Sequence, residues 1–173
     1  RVEVMGTPMA TFEVRAGGAL PGGGGGAVSP LAAALSVLNR AVDEFEDANE
    51  TYAILMHALS LCGLESRLSN LSSMLSEVGE MLDNASARID AGDYSRGREL
   101  AAMAYNRARD LLRDALNIAV SALRELIENL RNSTDSEEIL SLLDIAEERI
   151  EEVSAARPGE SADAILESSR IIV

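Results

Sequence analysis

The chain contains no Lys, no Gln and no Trp, and only one His and one Cys. Each absence removes a chemistry. Without Lys there is no Walker-A lysine, no Schiff base and no kinase-type lysine. One His and one Cys do not make a zinc site. Cys62 has no partner for an intrachain disulfide, and its place beside Leu61 and Leu64 reads as a small buried hydrophobe, not a reactive thiol. No Gly-x-Ser-x-Gly elbow supports a serine nucleophile. No run reaches the ~18 apolar residues of a membrane span; the longest, 27–38 and 52–64, are interrupted by polar residues. Aromatic residues make up only 3% of the chain, so a core has to be assembled from Leu, Ala, Ile and Val, as in helical bundles.

What is present fits one domain of 173 residues, 47% hydrophobic and 25% charged. All 15 basic residues are Arg, set against 29 acidic ones, for a net charge of −14. Such a surface repels phosphate backbones, so no nucleic-acid partner is expected. Arg in place of Lys, the lack of Gln and the acidity suit a thermophile or halophile. A first residue Arg1 in place of Met is the expected mark of a processed product or an excised segment, with any signal peptide already removed.

Residues 1–16 differ from the rest. Val2 and Val4, then Phe12 and Val14, alternate with other residues around a turn-like Gly6-Thr7-Pro8, which predicts a short β-like arm. Residues 17–29 form a Gly-rich linker. A phosphate-cradling loop there lacks its basic partner and its strand-loop-helix context. Residues 30–173 are predicted to be a helical bundle. The fold class expected is mainly α, an elongated up-and-down antiparallel bundle of about four long helices carrying the N-terminal arm.

Ser29-Pro30 reads as cap and first residue of a helix over 30–62, with a seam of Leu31, Leu35, Leu38, Val42, Phe45, Tyr52, Met56 and Leu59 and with Asn49 in its one polar slot. Gly63 fits a left-handed stop. A second helix carries Leu64, Leu68, Leu71, Leu75, Val78, Leu82, Ala85 and Ile89 in strict 4-3 alternation and ends at Gly92. Asp93 caps a third helix over 94–131, about 57 Å long at ~1.5 Å per residue. Asn132-Ser133 reads as a loop and Thr134–Glu137 as a capping box. A fourth helix has the seam Ile139, Leu143, Ala146, Ile150 and Val153 and stops before Pro158. A short helix over 161–169 and a last strand at 170–173 complete the prediction.

The clustered carboxylates, Asp43, Glu44, Glu46 and Asp47, then Glu147, Glu148, Glu151 and Glu152, lie off the seams and read as solvated faces. A di-iron bundle needs Glu-x-x-His twice, and His57 follows Ile54. A calcium-ligand loop is not visible. His57, next to the seam residue Met56, is expected to be partly buried and not catalytic. No catalytic, cofactor-binding or metal-binding residue is assigned, and no cofactor is expected.

One pattern bears on location. Four Asn-x-Ser/Thr sequons begin at Asn49, Asn70, Asn84 and Asn132, although eight Asn and 22 Ser and Thr in 173 residues yield about one by chance. Asn70 and Asn84 fall two heptads apart on one outer line of the second helix, and Asn132 falls in the predicted loop. Asn49 falls on the predicted seam and ranks last. The excess reads as N-glycosylation of a secreted protein.

The run Ala87-Arg88-Ile89-Asp90-Ala91-Gly92-Asp93-Tyr94-Ser95-Arg96-Gly97-Arg98-Glu99-Leu100-Ala101 lies within residues 64–123. It resembles the helix, Gly-Asp-Tyr, helix hairpins of stalk regions in archaeal secreted and surface-layer-associated proteins. It also resembles tetratricopeptide-type and HEPN-type hairpins. The Arg-x4-6-His motif of HEPN nucleases is absent, and so is a 34-residue period. The first resemblance implies an extracellular rod-like element. The leading expectation is therefore a non-enzymatic structural protein of a cell-surface layer or filament, self-associating through Val2, Val4, Phe12 and Val14. The alternatives are a cytosolic helical adaptor and an extracellular four-helix sensor domain. An enzyme ranks last.

Overall fold

A computed structural model describes residues 28–153 and 158–173. The arm with Val2, Val4, Phe12 and Val14, and the linker up to residue 27, lie outside the described residues.

The described chain is helical: α1 (Pro30–Leu61), a 3₁₀ turn (Glu65–Leu68), α2 (Leu71–Asp90), α3 (Tyr94–Ser133), α4 (Glu137–Glu152) and α5 (Pro158–Ile172). Local chemistry sets the boundaries. Ser29 Oγ accepts from the Ala32 N–H at 3.1 Å, with Pro30 in the first turn, where its missing N–H is no loss. At the far end of α1, Gly63 takes φ +69°. The Leu64 N–H reaches the Leu59 carbonyl at 2.8 Å, and the Gly63 N–H reaches Ser60 at 3.2 Å. The same Schellman stop recurs at Gly92, φ +84°, where Asp93 N–H donates to the Arg88 carbonyl at 2.9 Å. Asp93 then turns into the cap of α3, its carboxylate accepting from the Arg96 N–H at 3.2 Å. One residue closes one helix and opens the next.

The two hairpins make α1 and α3 parallel, with α2 antiparallel between them. The pairing of buried residues follows from this. Ala34, Leu38, Ala41 and Ala48 of α1 join Val78, Leu82, Ala85 and Ile89 of α2 and Ala101, Ala104, Ala108 and Leu111 of α3. Beyond α2 a second cluster takes over. There Leu55 and Leu59 meet Ala119, Leu123 and Ile127 of α3, together with Leu143, Ala146 and Ile150 of α4 and Ala162 and Ile165 of α5. The body is a three-helix bundle at one end and a four-helix bundle at the other, on two shared long helices. At ~1.5 Å per residue, the 40 residues of α3 span about 60 Å.

Five features differ from expectation. The seam of α1 is rotated by one position. Its centre is Ala34, Ala41, Ala48 and Leu55, and Asn49 is exposed. Small residues let α1 and α3 approach closely, while the large ones flank the contact; the Phe45 ring tip stands 3.7 Å from where a Cβ on Gly79 would sit. The second helix is broken before Leu71. Ser69, Ser72 and Ser73 each donate a hydroxyl to the carbonyl three residues back, at 2.8–2.9 Å, and compete with the helical ladder there. Asn132 and Ser133 belong to α3, and Ser136, not Thr134, holds the N-cap position of α4, with no side-chain capping bond. Thr134 Oγ1 instead accepts from the Ser136 N–H at 3.3 Å. Ile139, expected on the α4 seam, is 45% exposed. The expected last strand is helix: α5 runs to Ile172, held by Ser161, Ser168 and Ser169.

Those three buried serines pack α5 tightly against its neighbours. Ser168 Oγ is within hydrogen-bond range of the Ala146 carbonyl of α4 (3.1 Å) and of Ala164 (2.9 Å), and Ser161 Oγ donates to Val153 at 3.0 Å. No described helix is long and apolar enough to cross a membrane.

Candidate glycan acceptors and an exposed apolar face

The burial of α2 fixes where its sequon points. Val78, Leu82, Ala85 and Ile89 face inward, so Asn84 faces water. Asn70 sits just before α2 with helical backbone angles, φ −69° and ψ −18°. Its side chain makes no capping bond, and its carbonyl accepts from Ser73 Oγ at 2.9 Å. The Asn70 amide is exposed, and so is Ser72, the third residue of its sequon. Asn132 lies on the last turn of α3 and is exposed, with Thr134 half-buried in extended backbone behind it. Asn49 is also exposed, in the middle of α1, between buried Ala48 and Thr51, which is 3% exposed. All four acceptor side chains therefore reach solvent. The sites differ in the third residue, which is open at Asn70 and closed at Asn49.

The acidic runs are placed by the same registers. Asp43, Glu46, Asp47, Glu148 and Glu151 are exposed, while Glu44 and Glu147 are half-buried. Between α1 and the start of α5 lies an open cleft of ≈ 470 Å³ that carries Glu44, Asp47, Glu50, Glu160 and Asp163. Among the described residues, no three His, Cys, Asp or Glu side chains converge closely enough to hold a metal ion. His57 is exposed, contrary to expectation; its carbonyl accepts from Ser60 Oγ at 2.7 Å. Cys62 is half-buried against α5, its Sγ 3.9 Å from the Ser169 carbonyl, and burial pushes its thiol pKa up.

The feature that sequence reasoning missed is on α4. Leu143, Ala146 and Ile150 are buried against the bundle. Ile139, Leu142 and Ile145 run along the outer side at three-residue spacing, 45%, 44% and 44% exposed. The signal was there: six of the eight residues 139–146 are apolar, more than one buried face can use. On the flank toward α3, Arg131 pairs with Glu147 at 2.6 Å and with Asp144 at 2.5 Å, and both bonds raise the guanidinium pKa further. The outward aim of the three aliphatics follows from the burial of Leu143, Ala146 and Ile150 on the opposite side.

No protein-family model matches this chain, and neither curated proteins nor solved structures give a match.

Proposed function

We propose that the protein is a non-enzymatic, extracellular structural subunit, N-glycosylated and self-associating, of a cell-surface layer or filament. The observation that carries the reading is the four sequons, about four times the chance number, with all four asparagines at the surface of a helical body. Long parallel helices sharing two stacked cores suit a load-bearing or spacing element. The −14 net charge keeps such units apart in solution until specific contacts form.

Use of the sites should follow exposure of the acceptor together with release from helical backbone, which Thr134 provides next to Asn132, while Asn70, Asn84 and Asn49 sit on helical backbone. Asn132 comes first, then Asn70 and Asn84. Asn49 comes last because Thr51 is enclosed, and not because a glycan would meet a neighbouring helix. Glycopeptide mapping and intact mass of the native protein test this. Added hexose-type mass on at least Asn132 and one α2 site is the expected result. A native mass equal to that of the bare polypeptide would overturn the reading.

A further inference from the structure

At about 100° per residue, Glu138, Leu142, Ile145 and Arg149 of α4 fall within an arc of about 60°. Their spacing is four, three, four, the spacing of a coiled-coil seam. All four are exposed, and the row lies to one side of the buried line of Leu143, Ala146 and Ile150. Ile139 borders it on the side toward the core. On the other flank Arg131 of α3 holds Asp144 and Glu147, and Glu137, Glu148 and Glu151 share that side of the helix. The row itself carries one charge of each sign, at opposite ends, with two aliphatics between them. Arg149 is the single Arg of α4. Its Nε stands 4.0 Å from Glu167 Oε2 of α5 with 48% of the side chain exposed, so the guanidinium has donors left for a second carboxylate.

We propose that this row packs against the same row of a second copy, antiparallel, about a two-fold axis between Leu142 and Ile145. Residues 138 and 149 lie equally far from that axis, and so do 142 and 145. Leu142 of each copy therefore meets Ile145 of the other, and Glu138 of each meets Arg149 of the other. A parallel pair would set Glu138 on Glu138 and Arg149 on Arg149. Charge thus selects both the antiparallel arrangement and the occupant: the row is its own complement, which is what an isologous contact requires. The proposal rests on the self-associating reading above and names its contact surface. So short a row covers far less than the roughly 800 Å² per partner of a standard interface, so the pair is weak and transient by itself. Being isologous, it also stops at two copies, and a layer or filament needs a further contact to grow. Repeated through such an assembly, weak pairs add up.

The test is a charge-swap cycle in the full-length chain, read by sedimentation over a wide concentration series. The unaltered chain should pair. Glu138→Arg or Arg149→Glu turns both cross-pair attractions into repulsions and should weaken pairing by about tenfold or more. The double variant, Glu138→Arg with Arg149→Glu, restores both attractions in reverse and should recover affinity to within about threefold of the unaltered chain. The two single variants mixed at equal amounts should pair with each other in preference to themselves. Leu142→Ser should weaken pairing without altering any charge. Circular dichroism melts check that each variant keeps its helices. If Arg149→Glu loosens α5 through Glu167, then Glu138→Arg and Leu142→Ser carry the test. Pairing that survives both of those variants would overturn the proposal and leave self-association to another surface. A double variant as weak as the single ones would overturn the antiparallel register. An unaltered chain that stays monomeric would remove the pair and self-association together, with the row covered by another segment of the chain or by a foreign partner. Glycan mapping reads location independently of all these results.

Discussion

Gly97 lies where α3 first crosses α2. A Cβ built there would stand 2.5 Å from Ile89 Cγ1, 3.0 Å from the Ala85 carbonyl oxygen and 3.2 Å from the Ile89 nitrogen. The first atom sits next to the branch point of a buried side chain, and the other two are helix backbone, so no flexible tip can swing aside. Restoring an ordinary contact of about 3.6 Å requires Ile89 to move by about 1 Å, or α2 and α3 to part. Over-packing of this kind costs roughly 1–3 kcal/mol, and here the upper part of that range applies. Against it stands the helix-propensity gain of Gly→Ala, about 1 kcal/mol. The net expectation for Gly97→Ala is a loss of about 2 kcal/mol. For a body of this size that lowers Tm by about 4–8 °C. Gly79 is the internal control. Its Cβ would meet only the Phe45 ring tip at 3.7 Å, an ordinary contact. Gly79→Ala should therefore stabilise by about 0.5–1 kcal/mol. Thermal melts followed at 222 nm, at concentrations where the protein is monomeric, read both variants. Gly97→Ala melting at or above the parent temperature would refute the close approach of α2 and α3 at this point.

Other expectations follow from single contacts. Asp93→Ala removes the acceptor of the Arg96 N–H and should cost about 1 kcal/mol in urea unfolding, with Asp93→Asn retaining most of it; equal losses would remove the capping argument. Leu123→Ala empties a fully buried site in the four-helix half and should cost about 2–5 kcal/mol, and a loss under ~1 kcal/mol would mean that the cluster around it is not packed as described. Burial disfavours the Cys62 thiolate, so the folded protein should reach half its maximal alkylation rate at a higher pH than the urea-unfolded chain. Iodoacetamide kinetics across pH check the order, and the reverse order would contradict it.

Helix boundaries are readable where one residue type has one job. Gly63 and Gly92 adopt positive φ as left-handed stops, and Ser29-Pro30 and Asp93 act as caps. The α2 seam is also readable, since its Val78, Leu82, Ala85 and Ile89 meet two neighbours along one line. On α1 the large residues mislead about where the seam lies. In a bundle with Ala at the closest contact, the centre is marked by what is small, and Ala48 rather than Asn49 holds it. The break before Leu71 is hidden because Leu68 and Leu71 stay buried on both sides of it, and only the serine hydroxyls between them betray the change of ladder. The terminal Ile171-Ile172 pair suggests a strand by β-branching alone. Ala162, Ile165, Ser168 and Ser169 are buried at helical spacing against the bundle, and that packing keeps the segment helical. The sequons are legible as sequence, but their access depends on helix rotation. The α4 strip depends on which of its two apolar faces the bundle claims.

The two stacked cores differ in grain. In the three-helix half, seven of the thirteen buried residues are Ala, so its integrity depends on nothing growing larger. In the four-helix half, nine of fifteen are Leu or Ile, and there the danger is shrinkage. Sequence drift should therefore be policed in opposite directions at the two ends of the same long helices. A change in α3 such as Ala→Leu would be rejected near Ala104 for crowding, while Leu→Ala would be rejected near Leu123 for the void it leaves. Since α1 and α3 run unbroken through both regimes, a defect tolerated in one half still tilts the helices entering the other. The joint near residues 48–55 of α1 and 111–115 of α3 is where the two sets of tolerances must be reconciled.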